Sequence, residues 1–298
     1  MQTNTTLADF FRDAYQPLRL RGRSQQTARL YGNTIRQFAR WLERSPTLDD
    51  LDDLVVSRYL SHRAETRSPL TAEKERTQLL ALARLSSDLG IRKTRPCVPP
   101  APTPRRVPRA WTIEQLKSLV AATQTEPGTI GDVPARVFWT GLALTLWESA
   151  ERVGAILATP AEDYVRPRLL VTAEHRKGRR SDRLYSLSPA CCDMLDTLSR
   201  ANAGKSLFHW PLAYVYLWAR FSLIIERAGL PNDRRNKFHA IRRAAATHYA
   251  RLGGGIEAAA RLLDHSSTRT TQQYYIDPRL LDTGPPPCDV LPRIDGTP

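Results

Sequence analysis

The segment PCVPPAPTPRRVP, residues 96–108, places six prolines within thirteen positions. Each proline fixes φ and removes a backbone donor, so neither a helix nor a central strand crosses this stretch. An extended, semi-rigid connector is the conformation left to it. The 298-residue chain is therefore read as two folded parts and a tether. The expected division is a helical domain over 1–95, a basic linker over 96–108, a second domain over 109–278, and a Pro-rich tail over 279–298.

The tether is flanked by Arg92, Lys93, Arg95, Arg105, Arg106 and Arg109. Two readings stand side by side: a strap lying along a phosphate backbone, or a solvated linker with incidental charge. The whole chain leans the same way, with 44 Lys+Arg against 30 Asp+Glu and a net charge of +14. Only six of those cations are lysines. Arginine's planar fork matches phosphate oxygens better than a lysine point charge does, so a nucleic-acid partner is favoured.

Four cysteines, Cys97, Cys191, Cys192 and Cys288, form no C-x-x-C pair and no metal-ligand spacing. This predicts a reduced intracellular protein with no zinc site. The N-terminal MQTNTTLADFF lacks the features of a signal peptide. The longest mostly apolar run, VFWTGLALTLW, is too short for a bilayer. No membrane association and no cofactor are expected.

Before the tether the periodicity is helical. Tyr31, Ile35, Phe38 and Leu42 recur at helical spacing, and weaker periods around 6–18, 51–64 and 71–89 suggest a bundle of about four helices. Beyond it, Thr112 followed by Gln115 is a capping box that starts a helix. Residues 135–158 read as one buried helix, and 168–187 as a β-hairpin around the polar turn HRKGRRSD. From 212 the pattern is helical again, interrupted by Gly253–Gly254–Gly255.

No phosphate loop, dinucleotide fingerprint, nucleophile elbow, H-E-x-x-H or paired acidic cluster is present. What remains is Arg, His, Lys and Tyr, types suited to phosphoryl transfer without a metal. His239 and Arg242 lie three apart near a helix start and share one face. Arg152 falls in an apolar stretch, where its guanidinium must meet an acid such as Glu148 or face a cleft. Lys177 sits in the expected hairpin turn. His265 precedes Tyr274 by nine residues. Taken singly, each of these has a bland reading as a surface pair, a solvated turn or a packing residue.

Their order removes that ambiguity. Arg152, a hairpin Lys177, His239-x-x-Arg242, His265 and Tyr274 resemble the catalytic series of the tyrosine recombinases, the phage integrase family. HSSTRTTQQY is similar to that family's H-S-S-x-x-T-T-x-x-Y, and FHAIRRAAATHYARLG to its H-x-L-R-[RH]-x-x-x-T-H. The resemblance spans most of 108–278. It implies a mainly α fold with a small β-hairpin or sheet: an N-terminal helical core-binding bundle followed by an α+β catalytic domain. It also implies cleavage and rejoining of double-stranded DNA through a 3′-phosphotyrosine, by a homotetramer on paired sites in the cytoplasm at the nucleoid.

By the same resemblance, Tyr274 would be the nucleophile and Arg152 with Arg242 the phosphate clamp. Lys177 would be the general acid, His239 an aid to proton movement and His265 a phosphate ligand. Tyr275 would be a packing neighbour. Three positions depart from the family pattern: Ala150 and Asp264 stand where glycine is usual, and Ala155 where glutamate is frequent. These departures keep two other expectations in view, a type IB-like topoisomerase and a DNA-binding architectural protein with impaired catalysis.

Overall fold

A computed structural model describes residues 2–103, 107–176, 181–233 and 237–281. Arg105, Arg106, Lys177 and the tail beyond 281 lie outside the described residues. The chain divides into two compact units, Met1–Arg105 and Arg106–Pro298.

The first unit is helical throughout. Helix α1 (Leu7–Phe10) continues through a π-helical turn (Phe11–Tyr15) into α2 (Gln16–Arg19), followed by α3 (Gln25–Leu42), α4 (Asp53–Thr66) and α5 (Pro69–Asp88). The starts are written in the sequence. Asp52 accepts from Val55 N–H at 2.8 Å, and Ser68 accepts from Thr71 N–H at 3.2 Å with Pro69 in the first turn. Ile35 and Phe38 of the α3 period are buried against Leu7, Phe10, Leu48, Tyr59 and Leu82. One buried acid, Glu75, sits in this core. It accepts from Tyr59 Oη at 2.7 Å and is gripped by both Arg63 Nε and Nη2, at 2.8 and 2.7 Å.

The opening of the Pro-rich segment belongs to this unit. Val98 is buried in the same core, its carbonyl accepts from Arg76 Nη1 at 2.7 Å, and Cys97 N–H donates to Asp53 at 2.6 Å.

The second unit opens with α6 (Ile113–Gln124), whose Thr112–Gln115 capping box is formed from both sides at 3.2 and 3.0 Å. A two-residue pair, β1 (Thr129–Ile130) and β2 (Val133–Pro134), leads into α7 (Ala135–Ser149) and α8 (Val153–Ala158). Next come β3 (Tyr164–Val165), β4 (Arg168–Val171) and β5 (Arg183–Ser186), one antiparallel sheet in that order. The β4–β5 register pairs Leu169 with Tyr185 and Val171 with Arg183. Helices α9 (Pro189–Ala201), α10 (Tyr214–Arg227), α11 (Phe238–Leu252), α12 (Gly255–Leu263) and α13 (Thr268–Tyr274) complete the unit.

Helix α7 carries much of the core, burying Phe138, Trp139, Leu142 and Leu146 with Leu195, Leu198, Phe208 and Phe221. Gly141 lets α9 approach, since a Cβ there would stand 3.1 Å from both Leu198 Cδ1 and Met194 Cβ. No described helix is long and apolar enough to cross a membrane.

The single helix expected over 135–158 is instead two. Ala150 is left-handed, with φ of 50°, and ends α7; Arg152 is the N-cap of α8. Alanine favours helix, so the break is imposed by tertiary bonds. Ser149 Oγ accepts from Glu151 N–H at 3.1 Å, and the Ala150 carbonyl accepts from Arg242. Arg152 is therefore not a mid-helix residue. Glu148 does not serve it either, because that carboxylate accepts from Ser188 N–H and Oγ at 2.8 and 2.6 Å.

Candidate active site

Arg242 lies one turn inside α11 and is only 2% exposed. A guanidinium so buried needs protein acceptors for most of its donors. Here both terminal nitrogens have one, while the buried Nε has none among the described residues. Nη1 donates to the Ala150 carbonyl and Nη2 to the Leu263 carbonyl, the latter at 2.9 Å. These two carbonyls lie just ahead of Arg152 and of His265. One side chain thereby fastens the three segments that carry Arg152, His239–Arg242 and His265. Burial and the charge of Arg152 lower the Arg242 pKa.

The two imidazoles meet on Tyr275. Its ring centroid is 5.1 Å from His239 and 4.7 Å from His265, both edge-on, with the Arg242 guanidinium 5.6 Å away over its face. His265 Nδ1 bonds Thr271 Oγ1 at 2.9 Å, which orients the ring and leaves Nε2 for a ligand. His239 keeps an open edge to solvent. Even so, crowding by surrounding atoms, then Arg242, Arg243 and Arg152, push its pKa down to about 4. Burial, Arg242 and Arg152 bring His265 to about 4 as well. Both rings are neutral near pH 7 and can accept a proton or a hydrogen bond. Arg152 is half-buried, and its charge acts on all three neighbours.

Tyr274 ends α13 and is 57% exposed, whereas Tyr275 is 7% exposed. The structure therefore brings His239, Arg242 and His265 together around Tyr275, with Tyr274 on the rim. Among the described residues no hydrogen bond or ring contact to the Tyr274 side chain is formed. The tyrosine segment is anchored just beyond, at the fully buried Asp277, which accepts from Ala110 N–H at 2.9 Å and from Arg279.

The linker-flanking cations separate by environment. Arg92 donates to the Leu48 and Leu51 carbonyls and so holds the first unit together. Arg95 is exposed and pairs with Asp88. Lys93 and Arg109 are exposed. Among the described residues no group of His, Cys, Asp or Glu is placed to hold a metal.

Sequence reasoning missed a buried acid. Glu151 is 1% exposed, and its Oε1 accepts from Arg176 Nε at 2.6 Å and Tyr185 Oη at 2.9 Å. Its Oε2 accepts from Arg152 N–H at 3.0 Å and faces Arg242 Nη1 at 3.7 Å. Desolvation opposes the charge, but Arg242, the Arg152 N–H and Arg176 outweigh it and hold the carboxyl below its ordinary value. The available signal was an acid inside an apolar run, directly beside an arginine. The positions of Ala150 and Asp264 also gain a physical meaning. Both adopt left-handed backbone, with φ of 50° and 55°, which glycine enters without strain.

Two arginines, two neutral imidazoles and an exposed tyrosine on a helical scaffold are groups suited to phosphoryl transfer. Residues 112–279 match the family model described as the phage integrase family. The chain belongs to that family, and so to the tyrosine-type site-specific DNA recombinases. It is 25% identical to tyrosine recombinase XerD of Ralstonia nicotianae over 85% of this chain and 84% of that protein. It is 26% identical to XerD of Xanthomonas axonopodis pv. citri over 86% and 88%. Among solved structures, a lambda integrase dimer bound to a COC′ core site superposes with a TM-score of 0.70. That match has 18% identity and covers 92% of this chain and 78% of that one. XerH bound to palindromic difH in a post-cleavage complex gives 0.67 at 16% identity, over 85% and 77%. The fold is that of these enzymes.

Proposed function

We propose that this chain cuts and rejoins double-stranded DNA with Tyr274 as nucleophile and the arginine–histidine cluster as its phosphate site. The Tyr274 oxygen attacks phosphorus and the bond to the 5′-oxygen breaks, leaving a 3′-phosphotyrosine and a 5′-hydroxyl. The tyrosine proton passes toward neutral His239, while Lys177 protonates the departing oxygen. Arg152 and Arg242 hold the non-bridging oxygens, where charge accumulates, and His265 donates to one of them. No metal or nucleotide enters these steps. The observation that supports this most is Arg242, which ties the Arg152 and His265 segments to its own helix.

Double-stranded DNA as substrate and a homotetramer on paired sites belong to the same reading. The relatives include a lambda integrase tetramer bound to a Holliday junction. Lys93, Arg95, Arg105, Arg106 and Arg109 would lie along the DNA backbone, and the reaction would run in the cytoplasm at the nucleoid. One observation favours a rival for the attacking hydroxyl: Tyr275, not Tyr274, lies against both imidazoles.

The test uses sheared, nicked duplex DNA from the organism that encodes the chain. Wild type, Tyr274→Phe and Tyr275→Phe are incubated with it, and detergent-resistant adducts are captured and sequenced. Adducts lost in Tyr274→Phe alone support the reading and identify the target. Loss in Tyr275→Phe alone transfers the role to Tyr275. No adduct with any protein leaves the architectural alternative. Relaxation of plasmid carrying the captured site, without recombinant product, would mark a topoisomerase.

A further inference from the structure

Glu151 is the hub of a buried ion network running away from the phosphate site toward the sheet. Arg176, with its side chain 4% exposed, bonds Glu151 through Nε; its Nη1 donates to the Ser181 carbonyl at 2.8 Å and approaches Asp264 Oδ2 at 3.1 Å. Arg183, the first residue of β5, donates to the Arg261 carbonyl at 2.6 Å and to Asp264 Oδ1 at 3.3 Å. Tyr185 of β5 adds its hydroxyl to Glu151.

Three separate pieces of chain converge here. The turn before α8 supplies Glu151 beside Arg152. The stem of the β4–β5 hairpin supplies Arg176, Arg183 and Tyr185. The end of α12 supplies Asp264 beside His265. Arg176 and Ser181 flank the 177–180 segment and are bonded to each other. In sequence, Lys177 follows Arg176 directly. Ala155, by contrast, is 3% exposed within the apolar core and brings no acid to the site.

We propose that Glu151 is a positioning residue which, through Arg176 and Asp264, sets the stem of the β4–β5 hairpin against the segments bearing Arg152 and His265. This rests on the reading of Lys177 as general acid. The buried Arg176 guanidinium, held by Glu151 through Nε and by Asp264 and the Ser181 carbonyl through Nη1, has little angular freedom. The half-buried Arg183 adds a second contact to Asp264. Asp264 serves as the outer latch, and its left-handed backbone aims the carboxylate at both hairpin arginines. Among the described residues, the network meets the proposed phosphate clamp only through Glu151 Oε2, at the Arg152 N–H and at Arg242 Nη1, and makes no contact with Tyr274. Its effect is to register one element on another, and a misplacement of about 1 Å is enough to cost roughly 100-fold in rate.

The experiment compares full-length wild type, Glu151→Gln and Asp264→Asn. Glutamine keeps the shape of Glu151, and asparagine tolerates the left-handed backbone at 264. The first measurement needs no DNA. Hydrogen exchange at 168–171 and 183–186 should accelerate about tenfold in Glu151→Gln, with α6 and α9 unchanged. Unchanged exchange in the hairpin, or uniform acceleration everywhere, would overturn the proposal.

The second uses the captured target in single-turnover cleavage, with a 5′-bridging oxygen or with sulfur in its place. With oxygen, the P–O bond breaks only as the leaving atom takes a proton. With sulfur, the P–S bond breaks and the thiolate departs with its electron pair unprotonated. Glu151→Gln should lose about 100-fold on the oxygen substrate and stay within about fivefold of wild type on sulfur, with DNA affinity unchanged. Asp264→Asn should follow with a smaller loss. Equal losses on both substrates would mean that Glu151 does not act through the acid. Wild-type adduct formation, scored in the same assay, tells failure of the recombinase reading apart from failure of this one.

Discussion

The Tyr275 ring lies 4.7 Å from the His265 imidazole, edge to face, while the neighbouring Tyr274 points its exposed side to solvent. Two adjacent tyrosines thus occupy opposite environments. Tyr275→Phe keeps the ring contacts and should leave covalent adduct formation within about tenfold of wild type. Tyr275→Ala removes a buried aromatic and should cost about 3 kcal/mol in urea unfolding. Tyr274→Phe should be neutral in stability and abolish the adduct.

Both histidines have folded-state pKa values near 4 against 6.5 in an unfolded chain. The unfolded state therefore binds more protons between about pH 4 and 6.5, and stability must rise with pH across that window. It should be complete above about pH 6.5 and decline as pH falls toward 4. Urea midpoints measured at pH 7 and pH 5 should differ. The difference should shrink in a His239→Asn, His265→Asn double variant, which stays neutral throughout.

Ala150 sits at φ of 50° and is fully buried. Left-handed backbone costs a residue with a Cβ about 1–2 kcal/mol. Glycine removes that strain but gives up a packed methyl worth about 0.8 kcal/mol. Ala150→Gly should therefore stabilise by less than about 1 kcal/mol, and Ala150→Val, β-branched in the same conformation, should destabilise by more than about 2 kcal/mol. Thermal or denaturant unfolding reads both.

Asp277 has no exposed surface and accepts from the Ala110 amide while bonding Arg279. Asp277→Ala strands a buried N–H and should cost about 2–3 kcal/mol. Because this residue anchors the chain just after the tyrosines, protease cleavage after Tyr274 or Tyr275 should accelerate in the variant.

Arg92 and Lys93 are neighbours with different employment. Arg92→Ala removes donors from the Leu48 and Leu51 carbonyls and should lower first-unit stability by about 1–2 kcal/mol, with the salt dependence of DNA binding unchanged. Lys93→Ala and Arg109→Ala should leave stability alone and each reduce the slope of log K against log salt by about 0.9. Filter binding across a salt series separates the two classes.

Local signals in the sequence account for much of the fold. The α3 period of Ile35 and Phe38, the Thr112–Gln115 box and the paired strands β4 and β5 were all readable, because each is encoded within a few residues. Strand β3 was not, since two residues are too few for a period. The break at Ala150 was invisible for a different reason: alanine prefers helix, and the bonds that bend it come from Arg242, 92 positions away. In the site, the order of Arg, His and Tyr residues could be read along the chain. Their scaffolding could not, because Glu151, Arg176 and Asp264 acquire meaning only when three distant segments meet. The choice between Tyr274 and Tyr275 likewise rests on an interval in sequence and on packing in space, which point to different rings.

Arg242 is held in its place by two carbonyls of its own chain. Freezing a long cationic side chain costs about 1.5–2 kcal/mol of rotamer freedom. Here that loss is settled when the domain folds, not when DNA arrives. In the proposed reaction, encounter with a phosphate then requires little reorganisation at this residue. A lysine at 242, unable to span both carbonyls, would wander until substrate bound, and its deficit would surface as a less favourable activation entropy.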